Sequence, residues 1–175
     1  ITLASGSMTG IPANHKLFDM PIDGFFHTDT PHYYSEGQPD ETESQFLDRI
    51  ISNLQQLIEA EDPTTFSAMI AEPLIGAGGV LVPPQNYFPR VQEVLDQYDI
   101  PLISDEVVCG FGRTGNIWGL ETFNMKPSSI TIAKALSSGY MPISAVIIPD
   151  EIFEPVKNAS NEIGVFGHGY TYSGD

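Results

Sequence analysis

The chain has 175 residues, of which 41% are hydrophobic, and its 23 Asp and Glu against 7 Lys and Arg give a formal charge of -16. This length suffices for one domain with a buried core, whereas the charge argues against nucleic acids and anionic membrane surfaces as partners, since both attract positive footprints. No apolar run approaches a membrane span, and a single cysteine, Cys109, excludes an internal disulfide and suits a reducing, cytoplasmic location.

The first part of the chain predicts a loop-rich segment followed by a packing helix. Residues 1–40 are rich in Gly, Pro, Asn and His, and residues 24–27 predict a short strand. The histidines of this segment lack the spacing of a metal site, so we expect no metal. Residues 42–61 carry apolar side chains at intervals of three and four, with Thr42 or Ser44 as the cap, and therefore predict an amphipathic helix.

The remainder alternates short apolar runs with helix-like segments. Strands are predicted at residues 66–71, 100–104, 130–133 and 143–148, and helices at residues 87–97 and from Asp150 to about Val156. Continuous apolar runs are typical of parallel strands that helices cover on both faces. The sequence therefore predicts an α/β fold, a three-layer α/β/α arrangement around a mostly parallel sheet.

Three charged residues, Glu72, Asp105 and Lys134, each follow a predicted strand. Because ligands bind at the carboxyl ends of strands in open α/β sheets, we expect the three at one edge, beside glycine-rich loops. Taken singly, each has a plainer explanation, since acids often end strands and a lysine there can extend into solvent. Lys134 nevertheless follows an apolar run, and apolar surroundings favour the neutral, nucleophilic amine that a Schiff base requires.

A carboxylate and an amine held apart at one sheet edge suit pyridoxal 5′-phosphate (PLP) chemistry. In that chemistry a lysine binds the aldehyde of the cofactor, and a carboxylate keeps the pyridine nitrogen protonated so that the ring can accept electrons. The opposite charge of the carboxylate favours that protonation. An Asp105–Lys134 ion pair that bridges the strand ends fits the same pattern, and the pattern alone does not separate the two interpretations.

Four motifs, in this order along the chain, carry a resemblance to a known family. They are EPLIGAGG at 72–79, ISDEVVCGFGRTG at 103–115, TIAKALSSGYMPIS at 131–144 and FGHGYTYSG at 166–174. Together they strongly resemble the class III (omega) aminotransferases, which are PLP-dependent enzymes of fold type I. The resemblance covers essentially the whole chain and implies the PLP-dependent transferase-like large domain, in part.

The resemblance implies a role for each residue that matches a motif position. Lys134 matches the Schiff-base lysine, which also moves a proton between substrate and cofactor. Asp105 matches the partner of the pyridine nitrogen, and Val107 matches the apolar residue that packs on one face of the ring. Glu72 matches a glutamate near the cofactor, which we interpret as a supporting rather than a catalytic residue.

The last motif implies a homodimer. Thr171 matches a threonine that binds the cofactor phosphate of the neighbouring subunit, which would place Tyr170 near the substrate pocket of that subunit. Family chains are much longer than this one. We therefore expect residues 1–175 to form the central part of the PLP-binding large domain, with the N-terminal segment and the C-terminal small domain absent, and to retain the cofactor weakly or not at all.

Two departures from the family pattern concern the substrate. Relatives that act on 4-aminobutyrate or ornithine typically carry EPVQGEGG, in which Ile75 replaces Gln here and Ala77 replaces the second Glu, a residue associated with a gate for the substrate-carboxylate arginine. With PHYY at 31–34, this pattern is more similar to the amine:pyruvate subgroup. We expect amino transfer from a primary amine or omega-amino acid to pyruvate or a related oxo acid. The alternatives are other PLP chemistry on the same residues, as in a racemase, aminomutase or decarboxylase, and an inactive fragment without a complete pocket.

Overall fold

A computed structural model describes residues 2–167 and 169 of the chain. The α-helices of this part are α1 (Leu3–Met8), α2 (Tyr33–Glu36), α3 (Glu43–Ala60), α4 (Tyr87–Gln97), α5 (Gly119–Thr122) and α6 (Asp150–Ile163). Its strands are β1 (Met69–Ala71), β2 (Leu102–Asp105), β3 (Ser129–Ile132) and β4 (Ala145–Ile147). Short 3-10 turns lie at Pro12–Asn14, Pro63–Thr65 and Lys134–Leu136.

The strands form one sheet in the order β1-β2-β3-β4. The first three are parallel, with Ala71 beside Ser104 and Asp105 beside Thr131, and β4 is antiparallel to β3. Parallel neighbours require crossover connections, and α4 lies in the connection between β1 and β2. The predicted α/β class with a mostly parallel sheet is confirmed.

The core lies between two long helices and one face of the sheet. Helices α3 and α4 contribute most of its buried side chains, which pack with Leu102 of β2 and with Met69 and Ala71 of β1. These strand residues alternate with Ile70, Ile103 and Asp105, so the alternation of side chains along a strand turns Asp105 away from the helical layer.

Helix α3 confirms the predicted amphipathic helix and its cap. Thr42 accepts a hydrogen bond from Gln45 N through its hydroxyl, and the Gln45 side chain accepts one from Thr42 N, which is a capping box. The preceding loop is tied to the same helix by an Arg49–Glu41 ion pair at 2.8 Å. The hydrogen bonds from Arg49 lower the pKa of Glu41 to about 2.

Two predicted elements differ from the structure. Residues 24–27 belong to no strand, because the chain turns at Gly24 (φ 89°) and Phe26 packs on the Phe66 ring instead of pairing with a neighbouring strand. The last helix does not end near Val156 but continues to Ile163. Pro155 lacks an N–H and so removes one hydrogen bond of the helical ladder, which the helix tolerates.

Candidate functional site

The carboxyl ends of three parallel strands meet at one edge of the sheet. Asp105 is the last residue of β2, Glu72 follows the end of β1 directly, and Lys134 lies two residues past the end of β3. The charges of Asp105 and Lys134 both act on the Glu72 carboxyl. The parallel strands therefore bring these three residues to one edge of the sheet, as the sequence predicts.

Asp105 is half-buried and only partly used within the fold. One oxygen, Oδ1, accepts a hydrogen bond from Val107 N at 3.0 Å, which closes a tight turn after the strand. Its other oxygen has no hydrogen-bond partner in the described part of the chain. The ion pairs among residues 2–167 and 169 are Arg49–Glu41, Arg90–Asp48 and Lys157–Glu154, so the simple Asp105–Lys134 ion pair is not formed.

Lys134 is exposed, and the expectation of apolar surroundings for it is wrong. Strand β3 ends at Ile132, and a 3-10 turn begins at Lys134 itself. The backbone of Lys134 has φ 45°, in the left-handed region that residues with a side chain rarely adopt. Such conformations concentrate at functional sites, where the surrounding structure holds them in place.

Glu72 supports the loop that carries Ala77. Its Oε2 accepts a hydrogen bond from Gly76 N at 2.8 Å, and Ile75 and Leu81 pair as an antiparallel bridge across the loop base. Burial raises the pKa of the Glu72 carboxyl, the Gly76 hydrogen bond opposes that shift, Asp105 adds to it and Lys134 reduces it. Ala77 lies exposed at the loop tip.

The 72–82 loop packs directly on the turn that follows Asp105. A Cβ placed on Gly76 would lie 2.7 Å from Cγ1 of Val108, closer than real contacts allow. Only glycine therefore lets the two loops touch here, and Val107, half-buried, lies beside this contact. The sequence does not reveal this close approach between the two loops.

Glu106 is a structural residue that the sequence analysis missed. It is 0% exposed, and its carboxylate accepts hydrogen bonds from Gly119 N at 2.8 Å, Leu120 N at 2.7 Å and Ser104 Oγ at 3.2 Å. It therefore fastens the start of α5 beneath the strand end. The sequence signal that could have revealed this role is the alternation of side chains along β2. Counting in steps of two from the buried Leu102 puts the side chain of Glu106 on the core side.

Other predicted positions are structural or lie outside the described residues. Cys109 is buried and donates through Sγ to Leu74 O at 3.4 Å, and burial raises the pKa of its thiol. Tyr170 and Thr171 lie outside the described residues. In the described ranges, no set of His, Cys, Asp and Glu is arranged to hold a metal ion, and none of the helices is both long and apolar enough for a membrane span.

Comparison with known proteins identifies one family. Residues 13–175 match the model of the class-III aminotransferases. The chain is 51% identical over 99% of its length to gamma aminobutyrate transaminase 3, chloroplastic, from Solanum lycopersicum, and covers 33% of that protein. The chain thus spans about a third of the length of the curated relatives that it matches.

Solved structures agree over nearly the whole chain. A transaminase with L-alanine superimposes with a TM-score of 0.94 at 53% identity, covering 98% of this chain and 40% of that one. The omega transaminase from Pseudomonas jessenii in complex with PMP superimposes with a TM-score of 0.93 at 47% identity, covering 97% of this chain and 38% of that one.

Proposed function

The chain belongs to the class-III aminotransferase family, and we propose that it forms the central part of the PLP-binding large domain of an amine transaminase. The enzyme transfers an amino group from a primary amine or omega-amino acid to pyruvate or a related oxo acid. PLP is the cofactor of this family, and the residues at the sheet edge fit it.

One observation carries this proposal: Asp105 and Lys134 lie at the ends of adjacent parallel strands without pairing with each other. Had they formed an ion pair, both groups would have been used up by the fold. Instead, a carboxylate oxygen and an exposed amine are both available at one edge. Val107 is half-buried beside them and supplies an apolar surface. A carboxylate, an amine and an apolar surface are the groups that a cationic aromatic ring with an aldehyde requires.

When bound, PLP supplies an aldehyde for the substrate amine and a ring that accepts electrons. The free oxygen of Asp105 would keep the pyridine nitrogen protonated, because an adjacent negative charge favours the cationic form. Lys134 Nζ would hold the cofactor at its aldehyde and, once the substrate amine has taken its place, would move the proton at the amine-bearing carbon of the substrate as a free amine. Lys134 carries this amine at an exposed position, on a backbone with φ 45°.

The loop tip supports the proposed substrate class. Ala77 is exposed and carries no charge, and it stands where relatives that act on 4-aminobutyrate carry the glutamate associated with a gate for the substrate-carboxylate arginine. The absence of that glutamate supports an amine donor without a carboxylate. The tomato relative is named for 4-aminobutyrate, so the donor must be decided by direct comparison.

The oligomeric state and the location are parts of the same proposal. We assign Thr171 to the cofactor phosphate of a partner subunit and Tyr170 to that subunit's substrate pocket, which makes the enzyme a homodimer. A cytoplasmic location stays a prediction. The names of two tomato relatives place those proteins in the chloroplast and the mitochondrion.

The test uses the protein that contains this chain, incubated with PLP, pyruvate and either 1-phenylethylamine or 4-aminobutyrate. Formation of alanine that Lys134→Ala abolishes is the expected result, with the faster rate for 1-phenylethylamine. Faster turnover of 4-aminobutyrate would overturn the donor class alone. Racemised, rearranged or decarboxylated products without alanine would replace transamination by another PLP reaction.

A further inference from the structure

The hydroxyl of Thr131 is a buried polar group without a partner. Its Oγ1 and Gln92 Oε1 are the two buried side-chain polar atoms of the described residues that form no hydrogen bond. Nearly all buried polar groups in folded proteins are hydrogen-bonded, so an exception calls for an explanation. A hydroxyl that is unsatisfied in one state of a protein can be retained because another state uses it.

The register places this hydroxyl beside the carboxylate of the proposed site. Thr131 of β3 pairs with Asp105 of β2, so their side chains lie on the same face of the sheet, about 4.8 Å apart between strands. The neighbour of Thr131 on the other side is Val146, which offers no polar group. Ser129, the next residue of β3 on this face, is about 6.6 Å away along the strand.

Backbone hydrogen bonds hold the two strands in register around this pair. Thr131 O accepts a hydrogen bond from Glu106 N at 2.9 Å, and the Glu106 side chain is itself held by α5. Asp105 Oδ1 accepts from Val107 N, while the second oxygen has no partner among residues 2–167 and 169. Each carboxylate oxygen has two lone pairs, so that second oxygen can accept from a hydroxyl and a ring N–H together.

We propose that Thr131 is a positioning residue for Asp105: in the cofactor-loaded site its hydroxyl donates to the carboxylate oxygen that the Val107 turn leaves free. The register already sets the two residues side by side, so the proposed hydrogen bond calls for a change in side-chain torsion rather than in the backbone. The hydrogen bond fixes the plane of the carboxylate toward the pyridine nitrogen. It also satisfies the buried hydroxyl, so loading the site and pairing Thr131 favour each other.

This inference rests on the proposed function, and the experiment separates the two. Thr131→Val removes the hydroxyl at nearly constant shape, Thr131→Ser keeps it, and Ser129→Ala is the matched control on the same strand face. Each variant of the protein that contains this chain is measured for thermal unfolding without cofactor and for its PLP dissociation constant by absorbance titration.

Thr131→Val is expected to unfold at the wild-type temperature or above it without cofactor, since it loses an unpartnered group. Its PLP dissociation constant should rise at least about tenfold, in line with loss of a hydrogen bond to a charged acceptor. Thr131→Ser should stay within about threefold of the wild type, and Ser129→Ala should leave PLP affinity unchanged.

Wild-type affinity in Thr131→Val would overturn the positioning role and leave the proposed function standing. A fall in cofactor-free stability of Thr131→Val, restored by Thr131→Ser, would also overturn it, because the hydroxyl would then have a partner without the cofactor. Failure of the wild type to bind PLP would overturn the proposed function and this inference with it.

Discussion

Glu106→Gln should destabilise the fold by about 2–4 kcal/mol. The substitution keeps the shape of a side chain that is 0% exposed, but it places an NH₂ group against one of the two backbone donors, Gly119 N or Leu120 N. One charge-assisted hydrogen bond is lost and one buried N–H is left without an acceptor, and each of these costs on the order of 1–3 kcal/mol. Partial relaxation keeps the loss in the lower half of the combined range of about 2–6 kcal/mol.

The assay is thermal unfolding of the protein that contains this chain, with and without PLP. In a domain of about 150–250 residues, 2–4 kcal/mol corresponds to a fall in Tm of about 5–15 °C, and in a longer cooperative unit the fall is smaller. Glu121→Gln is the matched control, since the Glu121 carboxylate also accepts from a backbone N–H, that of Trp118 at 2.9 Å, but in an exposed position. A Tm for Glu106→Gln equal to that of the control would refute the argument that burial makes this carboxylate structural.

Three further predictions concern the other residues of the sheet edge. Lys134→Ala and Lys134→Gly should both abolish amino transfer. The Gly variant should be more stable than the Ala variant by about 1 kcal/mol in urea unfolding, because φ 45° strains any residue with a Cβ. Equal stability of the two variants would contradict this strain. The pKa of Glu72 is raised above 4.5 in the fold, so its contribution to stability is present below pH 4.5 and is lost as the pH rises through the folded pKa. Glu72→Gln should therefore gain stability relative to the wild type as the pH rises above about 4.5, whereas a stability difference that does not change with pH would count against the shift. Gly76→Ala forces its Cβ to 2.7 Å from Val108 and should cost about 1–3 kcal/mol, while Gly10→Ala, with 4.0 Å to its nearest neighbour, should cost less than 1 kcal/mol; similar losses at both sites would argue against close loop packing.

The elements that the sequence predicted well are those with long, regular apolar patterns. The stripe at intervals of three and four in α3 and the clear limits of α4 leave no competing structure, and both helices form as predicted. The segment at residues 24–27 shows where this approach fails. Two adjacent phenylalanines are typical of a strand, but a strand also needs a neighbour to pair with, and that depends on tertiary structure.

The sequence predicts where the site residues lie along the chain, but, as with residues 24–27, it does not predict what depends on tertiary structure. The order of strand ends and the parallel sheet are enough to bring Glu72, Asp105 and Lys134 to one edge. The sequence left open whether Lys134 is buried or extends into solvent, because the apolar run before it does not determine the 3-10 turn that begins at this residue. The unpartnered hydroxyl of Thr131 was likewise invisible, since it depends on which residue the neighbouring strand places beside it.

Asp105 and Glu106 lie at the same sheet edge, but Glu106 has a structural role and Asp105 has the proposed chemical role. The two carboxylates are adjacent in sequence, yet the alternation of side chains sends Glu106 into the core and Asp105 to the opposite face. The inward carboxylate is saturated by donors from α5 and β2, so it fixes the end of the strand. Asp105, on the opposite face, keeps one carboxylate oxygen free, because Glu106 makes the hydrogen bonds that hold the strand end. Exchanging the roles would require a shift of one residue in the register of β2, and that shift would also move Leu102 out of the core. The packing of Leu102 therefore determines which of the two acids faces the proposed cofactor site.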